Sequence, residues 1–373
     1  MPTDQTSTDQ TSTDQTSTDQ RSNIALSRRA LLGGMAASPV ALTLGGTVLS
    51  AGGLLPTLAQ AQTTLKISHQ FPGGTLTEGD FRDRLCRKFA AQVEAETKGA
   101  LKFEVYPASS LMKTVAQLQA LRKGALDFTL YPMPYGGGEV PEMNLGLMPC
   151  LVTTYEQGLA WKKKPIGEAL TKALEAKGVK ILTWVWQAGG VAARGTPVLH
   201  PADVKGIKIR GGSREMDMMF KAAGAAVSSI PSNEIYAGMQ TGNLDAAVTS
   251  STSLISFKLE EQSKSLTAAR QKSFWYMLEP LMMSKIVFDG LPAAQQKALL
   301  TVGESLEPFG LEEARKDDQR VAEIYAKAGL KVVDMDDKVM GEWRAIARDT
   351  AWKDFADRSA EAAALLKLAE DVA

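Results

Sequence analysis

Two stretches of this chain follow one plan, and that repetition constrains the fold more than any single motif does. In the first, the apolar run KFEVY ends at Pro107, a helical segment follows, and Gly124-Ala125-Leu126-Asp127 leads into a second apolar run. In the second, AAVSSI ends at Pro231, a helix enters at Ser232, and Gly242-Asn243-Leu244-Asp245 leads into AAVTS. Each glycine supplies the left-handed turn that ends a helix. A strand–Pro–helix–Gly-x-Leu-Asp–strand unit used twice implies two similar lobes; the alternative is that any α/β chain reuses this grammar.

Short apolar runs alternate with helical patterns from residue 62 onward, which argues for an α/β fold. Strands are expected at 65–68, 102–106, 127–131, 180–184, 208–210, 226–230, 246–249 and 331–333. Val115, Leu118 and Leu121 mark one helical stripe. Met216, Met219, Phe220 and Ala223 mark another, entered at Ser213 and stopped at Gly224. The C-terminal third reads as two long amphipathic helices, 312–328 and 341–372, with solvated polar faces.

The first sixty residues stand apart. Residues 1–20 repeat a polar pentapeptide that has no means of building a core. Arg28 and Arg29 then precede an uncharged segment rich in Leu, Ala and Gly, which closes at Ala59-Gln60-Ala61. A twin arginine before a mildly apolar, glycine-dotted stretch, with small residues at the first and third positions of its end, reads as a Tat-type export signal cleaved after Ala61 rather than as a membrane anchor. The 42 basic and 42 acidic side chains cancel, so charge supplies no reason to expect nucleic acid or an anionic membrane as partner. Cys86 and Cys150 are the two cysteines; both read as buried thiols, and an oxidising compartment would permit a bridge between them.

Motifs for chemistry are sparse. His69 and His200 are isolated from other ligand types at metal spacing, so no metal is expected. No nucleophile elbow, phosphate loop or dinucleotide fingerprint occurs, and no cofactor is expected. Carboxylates are plentiful without a marked pair, which leaves an α/β enzyme as the lesser alternative. One segment stands out: Asp203-Val-Lys-Gly-Ile-Lys-Ile-Arg210-Gly-Gly-Ser-Arg214. Arg210 closes a short strand beside a helix N-terminus, where its planar fork matches a carboxylate; a surface arginine paired with an acid is the competing reading.

DVKGIKIR (203–210), FKAAGAAVSSIPSNEIYAGMQTGNLDAAV (220–248), GALKFEVYPASSL (99–111) and LQALRKGALDFTL (118–130) resemble the DctP-type substrate-binding proteins of tripartite ATP-independent periplasmic (TRAP) transporters. The resemblance implies a periplasmic binding protein-like fold: two α/β lobes, a hinge, a ligand cleft and long C-terminal helices. Residues 1–61 would be removed, 62–187 with 279–317 would form the first lobe, and 188–278 with 318–373 the second. It implies a monomer that binds a small organic carboxylate, without catalysis, and hands it to the membrane subunits of an ion-gradient-driven transporter. A ligand sensor for a signalling partner would have the same cleft.

The resemblance carries the carboxylate salt bridge onto Arg210 and places ligand-facing residues at Met133, Pro134 and Tyr135, at Thr249, Ser250 and Ser251, and at Ser213. Two departures stand out. Many relatives of that family carry a second arginine that by spacing would fall near Gly190, where this chain has Gly189-Gly190, and Arg194 either takes a shifted version of that role or sits at the surface. Ala247 and Val248 stand where cation-binding relatives use polar residues. Tyr131, Tyr135, Trp184, Trp186, Trp275 and Tyr276 gather near the expected strand ends; two of them facing the cleft would fit an aromatic acid, and otherwise a short mono- or dicarboxylate is expected.

Overall fold

A computed structural model of the protein describes residues 62–372. Arg28, Arg29, Ala59 and Ala61 lie outside those residues. Among the described residues, twelve strands occur in chain order: β1 (Thr63–Ser68), β2 (Leu101–Tyr106), β3 (Phe128–Leu130), β4 (Val179–Thr183), β5 (Trp186–Ala193) and β6 (Lys208–Arg210). They continue with β7 (Ala226–Ser228), β8 (Ala246–Ser250), β9 (Ser265–Ala268), β10 (Tyr276–Leu278), β11 (Leu281–Ser284) and β12 (Lys331–Asp334). They form two sheets. One has the order β2-β1-β3-β11-β4, and the other β12-β9-β5-β8-β6-β7, with β10 pairing β5.

The sequence repeat is the common frame of both sheets. In each, a parallel strand pairs on one side with the next strand in sequence and on the other with the one after, giving β2-β1-β3 and β7-β6-β8. An antiparallel strand then flanks the third, β11 beside β3 and β5 beside β8. Gly124 and Gly242 both take positive φ, 70° and 76°, after their helices. The aspartates that follow do the same work: Asp127 accepts from the Lys66 N–H of β1, and Asp245 from the Lys208 N–H of β6, each at 2.8 Å. Each carboxylate thus satisfies the unpaired donor of its neighbouring strand.

The chain passes between the sheets from β4 to β5 and back from β10 to β11. These crossings are bonded to each other, Glu279 N–H donating to Val185 O at 2.8 Å. A third connection is the helix Glu307–Lys327, whose Asp318 accepts from Tyr155 on the first-lobe side (2.7 Å) and from Ser251 on the second (2.5 Å).

Several expectations need correction. β5, β9, β10 and β11 were not anticipated, because they are buried on both faces and show no alternation. The single helix expected at 341–372 is broken. Helix Asp337–Ala347 passes through a wide turn at Arg348–Trp352 into Lys353–Asp357, and Ser359 caps a new helix, Ala360–Glu370, by accepting from Ala362 N–H. That last helix packs against Pro165–Ala176 of the first lobe, so 318–373 does not belong wholly to the second. Val115 is 60% exposed rather than part of a core stripe. Among the described residues, no helix is long and apolar enough to cross a membrane.

Candidate functional site

The carboxyl ends of the parallel strands of both sheets face each other, the place where open α/β sheets build their sites. From the first lobe come Gln70 after β1 and Tyr135 after β3. From the second come Arg210 ending β6, Ser232 after β7, and Thr249 and Ser250 ending β8. The lobes are in contact: Gln70 Nε2 donates to Ser232 Oγ at 3.2 Å, and the Tyr135 hydroxyl accepts from Ser232 N–H at 2.9 Å.

Arg210 is 1% exposed. Its Nε donates to Ile230 O (2.9 Å), Nη1 to Val248 O (2.8 Å) and Nη2 to the Tyr135 hydroxyl (2.7 Å). Three of the five N–H groups of a guanidinium are thereby used. No carboxylate of the described residues lies within ion-pair distance of it. Asp217 stands behind the following loop, accepting from Gly211 N–H and from Ser229 Oγ; burial pushes its carboxyl up to about 6 against the pull of Ser229 and Arg210. A buried guanidinium without a partner charge is costly, and two of its donors have no acceptor among the described residues.

A second buried arginine, not anticipated from the sequence, lines the same cavity. Arg82 lies in the first turn of helix Phe81–Glu96, where a cation opposes the helix dipole. The N-cap Asp80 overrides that cost by accepting from Arg82 Nε (2.9 Å), Nη2 (2.7 Å) and the Arg82 backbone N–H (2.9 Å). Phe71 stacks on the other side, 3.6 Å from the guanidinium carbon. Nη1 is thereby aimed across the cleft at Ser253 Oγ (3.0 Å), Ser250 Oγ (3.3 Å) and Glu279 Oε2 (3.4 Å). The Asp-Phe-Arg order, an acidic cap followed at once by a first-turn arginine, was the signal available in the sequence.

Arg82, Tyr135, Arg210, Thr249, Ser250, Ser253, Trp275 and Glu279 enclose a cavity of about 10 Å³, the room of one water molecule. Outside it, a mouth of about 230 Å³ runs between Val115, Pro134 and Tyr135 of one lobe and Gly212–Arg214 and Ser229–Pro231 of the other.

Of the residues expected to face a ligand, Arg210, Tyr135, Thr249 and Ser250 line the cavity, and Pro134 and Ser213 line the mouth. Ser213 caps its helix by accepting from Met216 N–H and donates to Leu147 O. Met133 is instead fully buried in the core. Ser251 turns away to Asp318, and Ser253, two residues on, takes the cavity position. Arg194 follows the far end of β5, exposed, near Asp245 and Lys264, and so does not enter the cleft. The glycine pair in β5 has a different reason from a missing arginine: a Cβ at Gly189 would lie 2.4 Å from the Trp275 ring and from Thr249 O. Glycine lets Trp275 pack against the sheet. Tyr135 and Trp275 both face the cavity, but its size admits no aromatic ring beside them. Among the described residues, no group of three or more His, Cys, Asp or Glu is placed to hold a metal ion.

Comparison with known proteins gives three kinds of likeness. Residues 73–358 match the DctP family, bacterial extracellular solute-binding protein family 7. A solute-binding protein of Albidiferax ferrireducens is 58% identical over 349 residues, 92% of this chain and 99% of that protein. The 2,3-diketo-L-gulonate-binding periplasmic protein of Escherichia coli is 29% identical, over 72% of this chain and 82% of that one. A crystal structure of a TRAP periplasmic solute binding protein from Rhodoferax ferrireducens with bound malonate is 62% identical. It superposes with a TM-score of 0.82, covering 83% of this chain and 98% of that one.

Proposed function

The chain belongs to bacterial extracellular solute-binding protein family 7, and we propose that it captures a short organic acid between its lobes and delivers it to the membrane subunits of a TRAP transporter. The observation that carries this reading is Arg210, buried without a counter-charge at the mouth-side wall of the interlobe cavity. A carboxylate supplies the missing charge and takes the two N–H donors the protein leaves over.

Affinity needs both lobes. A charge-assisted hydrogen bond contributes about 1.5–3 kcal/mol, whereas micromolar binding requires about 8 kcal/mol. The remainder comes from closure: Tyr135 and Arg82 reach across from the first lobe to Arg210, Ser250 and Ser253 of the second. A short acid is in keeping with the malonate held by the Rhodoferax ferrireducens relative. The protein acts by binding and release rather than by turnover. Export by the twin arginine Arg28-Arg29 and cleavage after Ala61 place it in the periplasm, where relatives bearing that word in their names operate.

The test is a thermal-shift screen of the purified protein against short mono- and dicarboxylates, sugars and amino compounds. Malonate or another short acid is expected to raise the melting temperature by several degrees. A shift by neutral sugars alone, with none from any acid, contradicts the reading.

A further inference from the structure

The cavity beside Arg210 measures about 10 Å³, the room of one water molecule, so the carbon skeleton of an acid held there extends beyond it. The adjoining space is the mouth of about 230 Å³. We propose that this mouth is a subsite for an apolar substituent of the ligand, so that acids carrying a short alkyl group next to the carboxylate bind more tightly than the bare acid. The inference rests on the reading of Arg210 as the carboxylate anchor.

Three observations carry it. The first is continuity. Tyr135 and Gly212 line both spaces. Gly212 takes a φ of 95°, and a Cβ there would stand 2.6 Å from Arg210 Nη1, so the guanidinium lies against the same turn that walls the mouth. An acid anchored on Arg210 presents its next carbons to that space.

The second is the chemistry of the walls. The first lobe supplies Val115, Pro134 and the Tyr135 ring, and the second supplies Ile230 and Pro231. The polar side chains of the lining are bonded elsewhere. Ser213 Oγ accepts from Met216 N–H and donates to Leu147 O. Ser229 Oγ donates to Asp217, and Arg214 reaches Asp354 through both Nη atoms. The Tyr135 hydroxyl is turned to Arg210 and to Ser232 N–H. What the lining offers a ligand is chiefly carbon, and covering it with an alkyl group removes apolar area from water.

The third is Val115 itself, 60% exposed near the start of helix Thr114–Arg122, although Leu118 and Leu121 further along its stripe are wholly buried. A substituent in the mouth covers this valine together with Ile230 of the facing lobe. Both lobes then hold the apolar group as well as the carboxylate.

Titration calorimetry of malonate, methylmalonate, ethylmalonate and butylmalonate, at a pH where every acid is fully ionised, tests this. The acid groups stay constant while the apolar part grows. The dissociation constant is expected to fall by about two- to fourfold for each added methylene, the transfer free energy of a CH2 group expressed as an affinity ratio. The heat-capacity change of binding is expected to become more negative along the series. Val115→Asn, at an exposed position away from Arg210, is expected to flatten the series and leave malonate binding unchanged. Affinity that stays level or falls from malonate to butylmalonate overturns the subsite and leaves the carboxylate reading standing. A rising series that survives Val115→Asn overturns its placement in the mouth. Failure of every member to bind at millimolar concentration overturns both readings.

Discussion

Arg210 donates from Nη2 to the Tyr135 hydroxyl at 2.7 Å, so the side chain proposed to hold the ligand from one lobe is itself held by the other. The same hydroxyl accepts from Ser232 N–H. Closing the lobes and aiming the guanidinium are therefore one event.

Tyr135→Phe separates these effects from packing. It keeps the ring and leaves two buried donors without an acceptor, at a cost of about 1–3 kcal/mol. Malonate affinity measured by calorimetry should fall between about fivefold and a hundredfold, with circular dichroism unchanged. An unchanged affinity would show that the hydroxyl is dispensable to closure.

Stability should fall as pH rises from about 4 to about 7. Burial raises Glu215, Glu279 and Asp318 to about 7 and Asp217 to about 6, against unfolded values near 4. Folded carboxyls hold these protons while the unfolded chain releases them, so their contribution is full below about pH 4 and is lost as pH rises to about 7. Each group loses up to about 1.4 kcal/mol per pH unit in that window. Asp80, where burial is outweighed by Arg82, and Asp83, where it is outweighed by His69 and Arg87, are held below their ordinary values and act only at lower pH. Urea unfolding should give greater stability at pH 5 than at pH 8, and Asp318→Asn should shrink the difference. The opposite slope would contradict the assignment.

Cys86 and Cys150 are free and buried in the core. Burial raises the Cys86 thiol well above its ordinary value and the Cys150 thiol to about 12, so neither is a thiolate at neutral pH. A colorimetric thiol reagent at pH 8 should find no reactive thiol in the folded protein and both in guanidinium chloride. A reactive thiol in the folded state, or none after unfolding, would contradict this.

What the sequence made legible was local. Pro107, Gly124 and Asp127 announced one lobe and Pro231, Gly242 and Asp245 the other, because each residue's role is met within its own strand–helix–strand unit. Arg210 was legible for the same reason, at a strand end before a glycine turn. β5, β10 and β11 were not, since Trp186, Tyr276 and Leu281 and their neighbours are buried on both faces and carry no alternation. Arg82 was missed because its cavity partner Ser250 lies 168 residues away. Its meaning exists only once the lobes meet. Ser251 and Ser253 are equivalent on paper; which of them faces the cavity depends on where helix Glu307–Lys327 places Asp318.

The most direct measurement is a calorimetric titration of malonate into the protein and into Arg210→Met, whose side chain fills similar volume without charge. The account predicts single-site binding to the unaltered protein and a loss of about a hundredfold or more in the variant, the cost of leaving a buried anion without its partner. Equal affinity in the two proteins would contradict it.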